Sequence, residues 1–300
     1  MDPKKRRSRW MWRDPVDRGF APAKVNLALH VTGQRADGYH LLDSLVVFGG
    51  LGDQISATPS RDLTLSVTGP FAAGVPADDR NLVLKAAHAL AAARGVTAGA
   101  SLRLTKALPH AAGIGGGSSD AAATIRLLSA LWKVPPLDPG DPAVRALGAD
   151  VPVCLAAPAP QWMAGTGERL APWPALPGAA LVLANPRIDL PTREVFAGLA
   201  RRDNPPLTAP PANGGFDAFA GWLSDQRNDM EPAAIALAPP VAAVLARLAA
   251  SPGVAVARMS GSGATCYGLC RDLATAKRVA KAIQIAEQGW WVAPMPVLGG

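Results

Sequence analysis

Cysteine is scarce. Three occur in 300 residues, Cys154, Cys266 and Cys270, with no C-x-x-C pair among them. An odd set without that spacing makes neither a disulfide framework nor a metal knuckle, and it suits a reducing compartment. Cys154, inside the apolar run Val151–Leu155, is read as a buried small hydrophobe. Long apolar runs are missing too, since none approaches the ~18 residues of a membrane-spanning helix. Near the start, Arg13, Asp14, Asp17 and Arg18 interrupt any apolar core of a signal peptide. These absences lead to the expectation of a soluble, cytoplasmic chain without a membrane partner. There is also no internal repeat at fixed period.

What is present is globular in composition, with 49% hydrophobic and 18% charged residues. The net charge of +7 is unevenly spread. Residues 1–18 hold seven Lys/Arg against three Asp, a net of +4, which leaves +3 for the other 282. The run Pro3-Lys-Lys-Arg-Arg7 could serve as a nucleic-acid arm or a nuclear signal. Its plainer reading is a frayed, solvated terminus, residues 1–19. The body lacks the interleaved aromatic and basic residues of a nucleic-acid surface, so no nucleic-acid partner is expected. Its mild positive charge suits a protein that handles phosphorylated small molecules.

Val25, Leu27, Leu29 and Val31 alternate with Lys24, Asn26, Ala28 and His30, the pattern of a strand with one apolar face. Strand-like runs follow at 41–48, around Ile55, and at 63–67 and 101–105. Helical spacing covers 81–94, closed by Gly95, and 119–132. The segment 135–142, with four prolines, breaks regular structure. Beyond residue 160 come strands at 180–184, 254–259, 265–269 and near Trp291. Helices are expected around 193–202, 216–225, 240–250 and 272–287. Strands and helices grouped without strict βαβ alternation define an α+β class.

The most informative segment is Pro109-His-Ala-Ala-Gly-Ile-Gly-Gly-Gly-Ser-Ser-Asp-Ala121. Four glycines in five positions carry a high entropic cost unless the backbone must approach a ligand closely. The loop opens into a helix, so its amides and the helix N-terminus converge on one anion. Ser118 and Ser119 add hydroxyls for phosphate oxygens or a metal. Two common phosphate loops are excluded. No G-K-[ST] ending exists, and Ser118 occupies the third-glycine position of a dinucleotide fingerprint. A plain glycine hinge does not explain the direct run into a helix.

Pro109-x-x-x-Gly-Ile-Gly-Gly-Gly-Ser-Ser119 resembles the phosphate-binding motif of the galactose, homoserine, mevalonate and phosphomevalonate (GHMP) kinases. Ala21-Pro-Ala-Lys-Val-Asn-Leu27 near the start and Met259-Ser-Gly-Ser-Gly-Ala264 near the end resemble two further elements of that family, in the same order. Thr32-Gly-Gln-Arg-Ala-Asp-Gly-Tyr-His40, Gly148-Ala-Asp-Val-Pro152 and Leu190-Pro-Thr-Arg-Glu-Val-Phe196 look most like the members whose substrate is a cytidyl-diphosphate alcohol. Homoserine or mevalonate as acceptor is the alternative, and Gly38-Tyr-His40 argues against it.

The resemblance implies a two-domain kinase using ATP and Mg²⁺. Its ribosomal S5 domain 2-like N-terminal domain (20–158) binds ATP, and its ferredoxin-like C-terminal domain (159–300) lies on the substrate side. It implies Asp150 as general base with Lys24 beside it, and ATP on Pro109, Gly113, Gly115, Gly116, Gly117, Ser118 and Ser119. Asn26, Tyr39, His40, Thr192, Phe196, Gly261 and Gly263 are implied as substrate contacts, with Tyr39 and Phe196 on the two faces of the base and His40 on its edge. Neither the Mg²⁺ ligands nor the oligomeric state follows from the sequence. Bottom-up, Lys24 and Asn26 project together from the polar side of one strand. An Asp before an apolar run, as Asp150 is, would otherwise be a cap or turn residue.

Overall fold

A computed structural model describes residues 19–110, 112–174, 176–211 and 214–299. Residues 1–18 of the basic tail therefore lie outside the described residues. The first half forms a six-stranded sheet from β1 (Phe20–Gln34), β2 (His40–Ser60), β3 (Thr64–Thr68), β4 (Gly99–Thr105), β5 (Gln161–Gly165) and β6 (Arg169–Pro172). The 21-residue β2 is its spine, pairing antiparallel with β1, β4 and β5. Helices α1 (Leu82–Arg94), α2 (Gly116–Trp132), α3 (Pro142–Leu147) and α4 (Val151–Leu155) belong to this half. Leu90, Leu102, Leu104, Ile125 and Leu128 pack the core between sheet and helices.

The second sheet contains β7 (Ala180–Asn185), β8 (Val254–Met259), β9 (Cys266–Cys270) and β10 (Trp291–Pro296), in spatial order β10-β7-β9-β8, all antiparallel. In chain order that is 4-1-3-2, the ferredoxin-like arrangement. Helices α5 (Thr192–Ala197), α6 (Gly215–Ser224), α7 (Glu231–Leu237), α8 (Pro240–Ala249) and α9 (Leu273–Ala286) complete it. The α+β class and the two-part architecture hold. The first sheet, however, continues through β5 and β6 to residue 172, past the boundary expected at 158.

Local signals fixed several ends. Asn81 caps α1 by accepting the Val83 N–H at 2.9 Å, and Gly95 closes it at φ +64°. Asp272 caps α9 through the Thr275 N–H at 2.7 Å. One expectation shifts. Helix α2 begins at Gly116, not Ser119, so the glycines themselves form its first turn. The polar side of β1 is buried along with its apolar side, at Lys24, Asn26 and His30 alike.

The reason is the position of β1 between the two halves. One edge pairs with β2, and the other meets backbone from far along the chain. The Lys24 N–H donates to Ile114 O at 3.0 Å, and the Leu29 N–H donates to Arg227 O at 2.9 Å. Tyr267, fully buried in β9, donates its hydroxyl to Leu27 O at 2.6 Å. These bonds give the strand edge partners and tie the two sheets to one strand.

Candidate active site

Lys24 is the hub. Its ammonium donates to Asn26 Oδ1 and to Asp150 Oδ2, each at 2.9 Å. Asp150 comes from the start of α4, where its side chain makes no capping bond and so reaches Lys24 instead. The lysine side chain is 4% exposed and the aspartate 37%, so this ion pair is buried at one end and open to solvent at the other. Asn26 is oriented from behind. Its amide group donates to Ser44 Oγ at 2.8 Å, which donates to Ala28 O at 2.6 Å. With both amide functions engaged, Asn26 holds its oxygen toward Lys24.

The glycine loop packs directly on this lysine. Gly115 is the N-cap of α2 at φ +61°, and a Cβ there would lie 2.9 Å from Lys24 Cβ and 3.2 Å from its Cε. Glycine is required for both backbone and space. The Ser119 N–H is the first to bond within the helix, to Gly115 O at 2.8 Å. The N–H groups of Gly116, Gly117 and Ser118 therefore precede the ladder and remain available for an anion, with the helix dipole behind them. We expect Gly115→Ala to lower kcat/KM by at least about 10-fold, because it strains the loop and displaces Lys24. Steady-state kinetics on the purified variant, with ATP and acceptor varied separately, tests this.

A second glycine turn closes onto the first. Ser260 Oγ accepts the Asn26 N–H at 3.1 Å and donates to Gly113 O at 3.0 Å. A Cβ on Gly113 would meet Gly263 O and Ser260 O at 2.6 Å, and one on Gly261 would meet Gly113 O at 3.0 Å. Asn228 holds the turn by donating to Met259 O and Gly261 O, both at 2.8 Å. Thr192 joins through Ser262, oxygen to oxygen at 2.7 Å.

Of the expected base-binding residues, His40 opens β2, Phe196 lies on α5 and Tyr39 ends the loop before β2. His40 and Phe196 stack, with ring centroids 4.6 Å apart and planes 17° from parallel. Burial, then the nearby Arg202 charge, lowers the His40 pKa, so the ring is neutral at pH 7. Its Nε2 is buried and has no hydrogen-bond partner among the described residues. Tyr39 is 65% exposed and outside that stack.

The structure thus brings Lys24, Asn26, Asp150, Gly113, Gly115, Gly261 and Gly263 together, with Thr192 one hydroxyl away. Ser118 is half-buried and Gly117 exposed at the helix start. The Ser119 hydroxyl is occupied differently from the expectation: it donates to Pro22 O at 2.6 Å and pins the loop to β1. Pro109 stands half-buried at the loop entrance. Sequence reasoning missed Ser44, Ser260, Ser262 and Asn228. Two of these, Ser260 and Ser262, flank Gly261 in a motif read only for its glycines.

Two glycine turns thus lock together over a buried lysine, beside the open amides of a helix start. Residues 81–157 match the model of the GHMP kinases N-terminal domain, and residues 212–287 match that of the GHMP kinases C-terminal domain. The chain belongs to the GHMP kinase family. More particularly, it is 55% identical over 282 residues to the 4-diphosphocytidyl-2-C-methyl-D-erythritol kinase of a Cereibacter sphaeroides strain, covering 93% of this chain and 99% of the relative. It is 52% identical over 284 residues to the enzyme of the same name from Paramagnetospirillum magneticum, covering 93% and 97%.

A crystal structure of 4-(cytidine 5'-diphospho)-2C-methyl-D-erythritol kinase superposes with a TM-score of 0.77 at 35% identity, covering 94% of this chain and 99% of the other. Homoserine kinase from Cytophaga hutchinsonii shares the fold alone, at a TM-score of 0.60 and 16% identity over 93% of each chain.

Proposed function

We propose that this chain transfers the γ-phosphoryl group of ATP to the 2-hydroxyl of 4-diphosphocytidyl-2-C-methyl-D-erythritol, a step of non-mevalonate isoprenoid precursor synthesis in the cytoplasm. The names of relatives that cover nearly the whole chain support the substrate. The observation that carries the mechanism is the Lys24 bridge to Asp150 and Asn26 beneath the glycine loop. Lys24 engages Asp150 Oδ2, which leaves the other carboxylate oxygen to accept the proton of the attacking hydroxyl. The lysine charge holds that carboxylate in place and balances negative charge as it develops on the oxygens of the transferring group. The free N–H groups at 116–118 cradle the phosphates, so positioning and charge neutralisation do most of the work.

Mg²⁺ fits this site as an ion carried by the nucleotide. Among the described residues, no group of three or more His, Cys, Asp or Glu forms a dedicated metal cage. Mg²⁺ commonly takes phosphate oxygens, waters and one or two protein oxygens, and the Ser118 hydroxyl stands at the loop for that purpose. When bound it would neutralise phosphate charge.

On the acceptor side, His40 and Phe196 already touch, so the base enters beside this pair rather than between its rings. His40 is assigned to the base edge, and exposed Tyr39 can fold over a base face. Stacking is worth about 1–3 kcal/mol per base, so Tyr39→Ala or Phe196→Ala should raise the KM of the cytidyl substrate roughly 5- to 150-fold. The KM for ATP should hold. An ATP-side defect with an intact cytidyl KM would refute the assignment.

A further inference from the structure

Three of the most deeply buried charges in the chain lie under the start of α2, outside the Lys24 network. Lys106 is 2% exposed, Asp53 0% and Asp120 3%. The Lys106 ammonium donates to Asp53 Oδ2 and, at 2.9 Å, to Asp120 Oδ2. Asp53, on β2, accepts with its other oxygen the N–H groups of Ala107 at 2.5 Å and Leu108 at 2.9 Å. Asp120 sits one turn into α2, just beyond the glycines. The Lys106 backbone is itself anchored, its N–H donating to Thr68 O at 2.7 Å and its carbonyl accepting the Phe71 N–H at 3.3 Å.

The placement is specific. Asp53 grips the chain where it enters the glycine loop, and Asp120 grips it where the loop leaves. Lys106 joins the two. A Cβ on Gly116 would lie 3.4 Å from the ammonium and 3.8 Å from Asp53 Oδ2, so the trio packs against the first residue of the helix. Burial alone would discharge Lys106, but the two carboxylates overcome it and hold its pKa above the ordinary value. For Asp120, burial and the Asp53 charge outweigh the pull of Lys106 and raise its pKa.

An apolar trio of similar volume would give comparable stability, so folding by itself does not call for this arrangement. Asp120 Oδ1 is buried without a partner among the described residues, but the other bonds of the trio are made together in this one geometry and so favour it. We infer that Lys106, Asp53 and Asp120 form a positioning clamp that sets the N–H groups of the glycine loop for the phosphates of the nucleotide. The clamp rests on the nucleotide half of the proposed function and is independent of which alcohol accepts the phosphoryl group.

The test is calorimetric titration of full-length protein with Mg·ATP, alongside KM values for ATP and for the cytidyl alcohol. Asp120→Asn keeps the volume and removes one charge of the clamp. It should weaken ATP binding roughly 3- to 10-fold, with the acceptor KM within about twofold. Lys106→Met should weaken ATP more than about 10-fold and speed hydrogen exchange of the amides at 113–119. If Lys106→Met does not fold, Asp120→Asn carries the test. ATP binding equal to wild type in Asp120→Asn overturns the clamp. So does an equal loss for ATP and acceptor, which marks a merely structural role. A wild-type protein that fails to bind ATP refutes instead the nucleotide reading on which the clamp rests.

Discussion

Asp150→Asn should fold, bind ATP normally and lose about 10²–10⁴ in kcat, the usual worth of a positioned general base. Asparagine preserves the shape of the side chain and can still accept from the Lys24 ammonium. What it loses is the negative charge and the capacity to take a proton from the acceptor hydroxyl. The aspartate side chain is 37% exposed and makes no capping bond in α4, so the fold should survive, with some stability lost as the buried Lys24 gives up its countercharge. The loss should fall on kcat while both KM values stay near wild type. Wild-type turnover in a folded Asp150→Asn would place proton removal elsewhere.

Lys24→Met should be comparably damaging for a different reason. The substitution roughly conserves volume but withdraws the cation that joins Asp150 to Asn26. Removing one preorganised donor from a site of developing charge costs about 10²–10³ in rate. Here the same change also frees Asp150 to swing away from the acceptor. Asn26 is 1% exposed and would keep a buried oxygen without its donor, at a cost of about 1–3 kcal/mol in stability. A fall in Tm should therefore accompany the rate loss. Because the two residues act as a unit, the double variant should be scarcely slower than the worse single one. Multiplied losses in the double variant would show that the two act independently.

Much of this site is legible in the sequence because its parts are local. A glycine run opening into a helix announces free amides, and the alternation of β1 puts Lys24 and Asn26 on one side of a strand. The α+β class follows from the same periodicities. The pairing of Lys24 with Asp150 was reachable only through family resemblance, since 126 residues separate them and no local pattern links them.

Strands β5 and β6 escaped because Gln161–Gly165 and Arg169–Pro172 are short, and pairing rather than local pattern makes them strands, β5 on the long edge of β2 and β6 on β5. The burial of the polar face of β1 is a tertiary fact. Nothing in residues 20–34 reveals that Ile114, Arg227 and Ser260 will cover that strand. Lys106, Asp53 and Asp120 were invisible for the same reason, each being an ordinary charged residue until the fold brings the three together.

The most direct test of the central claim is a coupled ATP-consumption assay of the purified chain against a panel of alcohols. The panel holds 4-diphosphocytidyl-2-C-methyl-D-erythritol, homoserine and mevalonate, with phosphorus NMR of each product. The account predicts a new phosphate monoester on the 2-oxygen of the cytidyl substrate. It also predicts a kcat/KM about 10⁴-fold above that for the other two, as expected where a site built for hydrogen bonds is left unpaired by the wrong ligand. Equal or faster turnover of homoserine or mevalonate, or a phosphate on another hydroxyl, would contradict it.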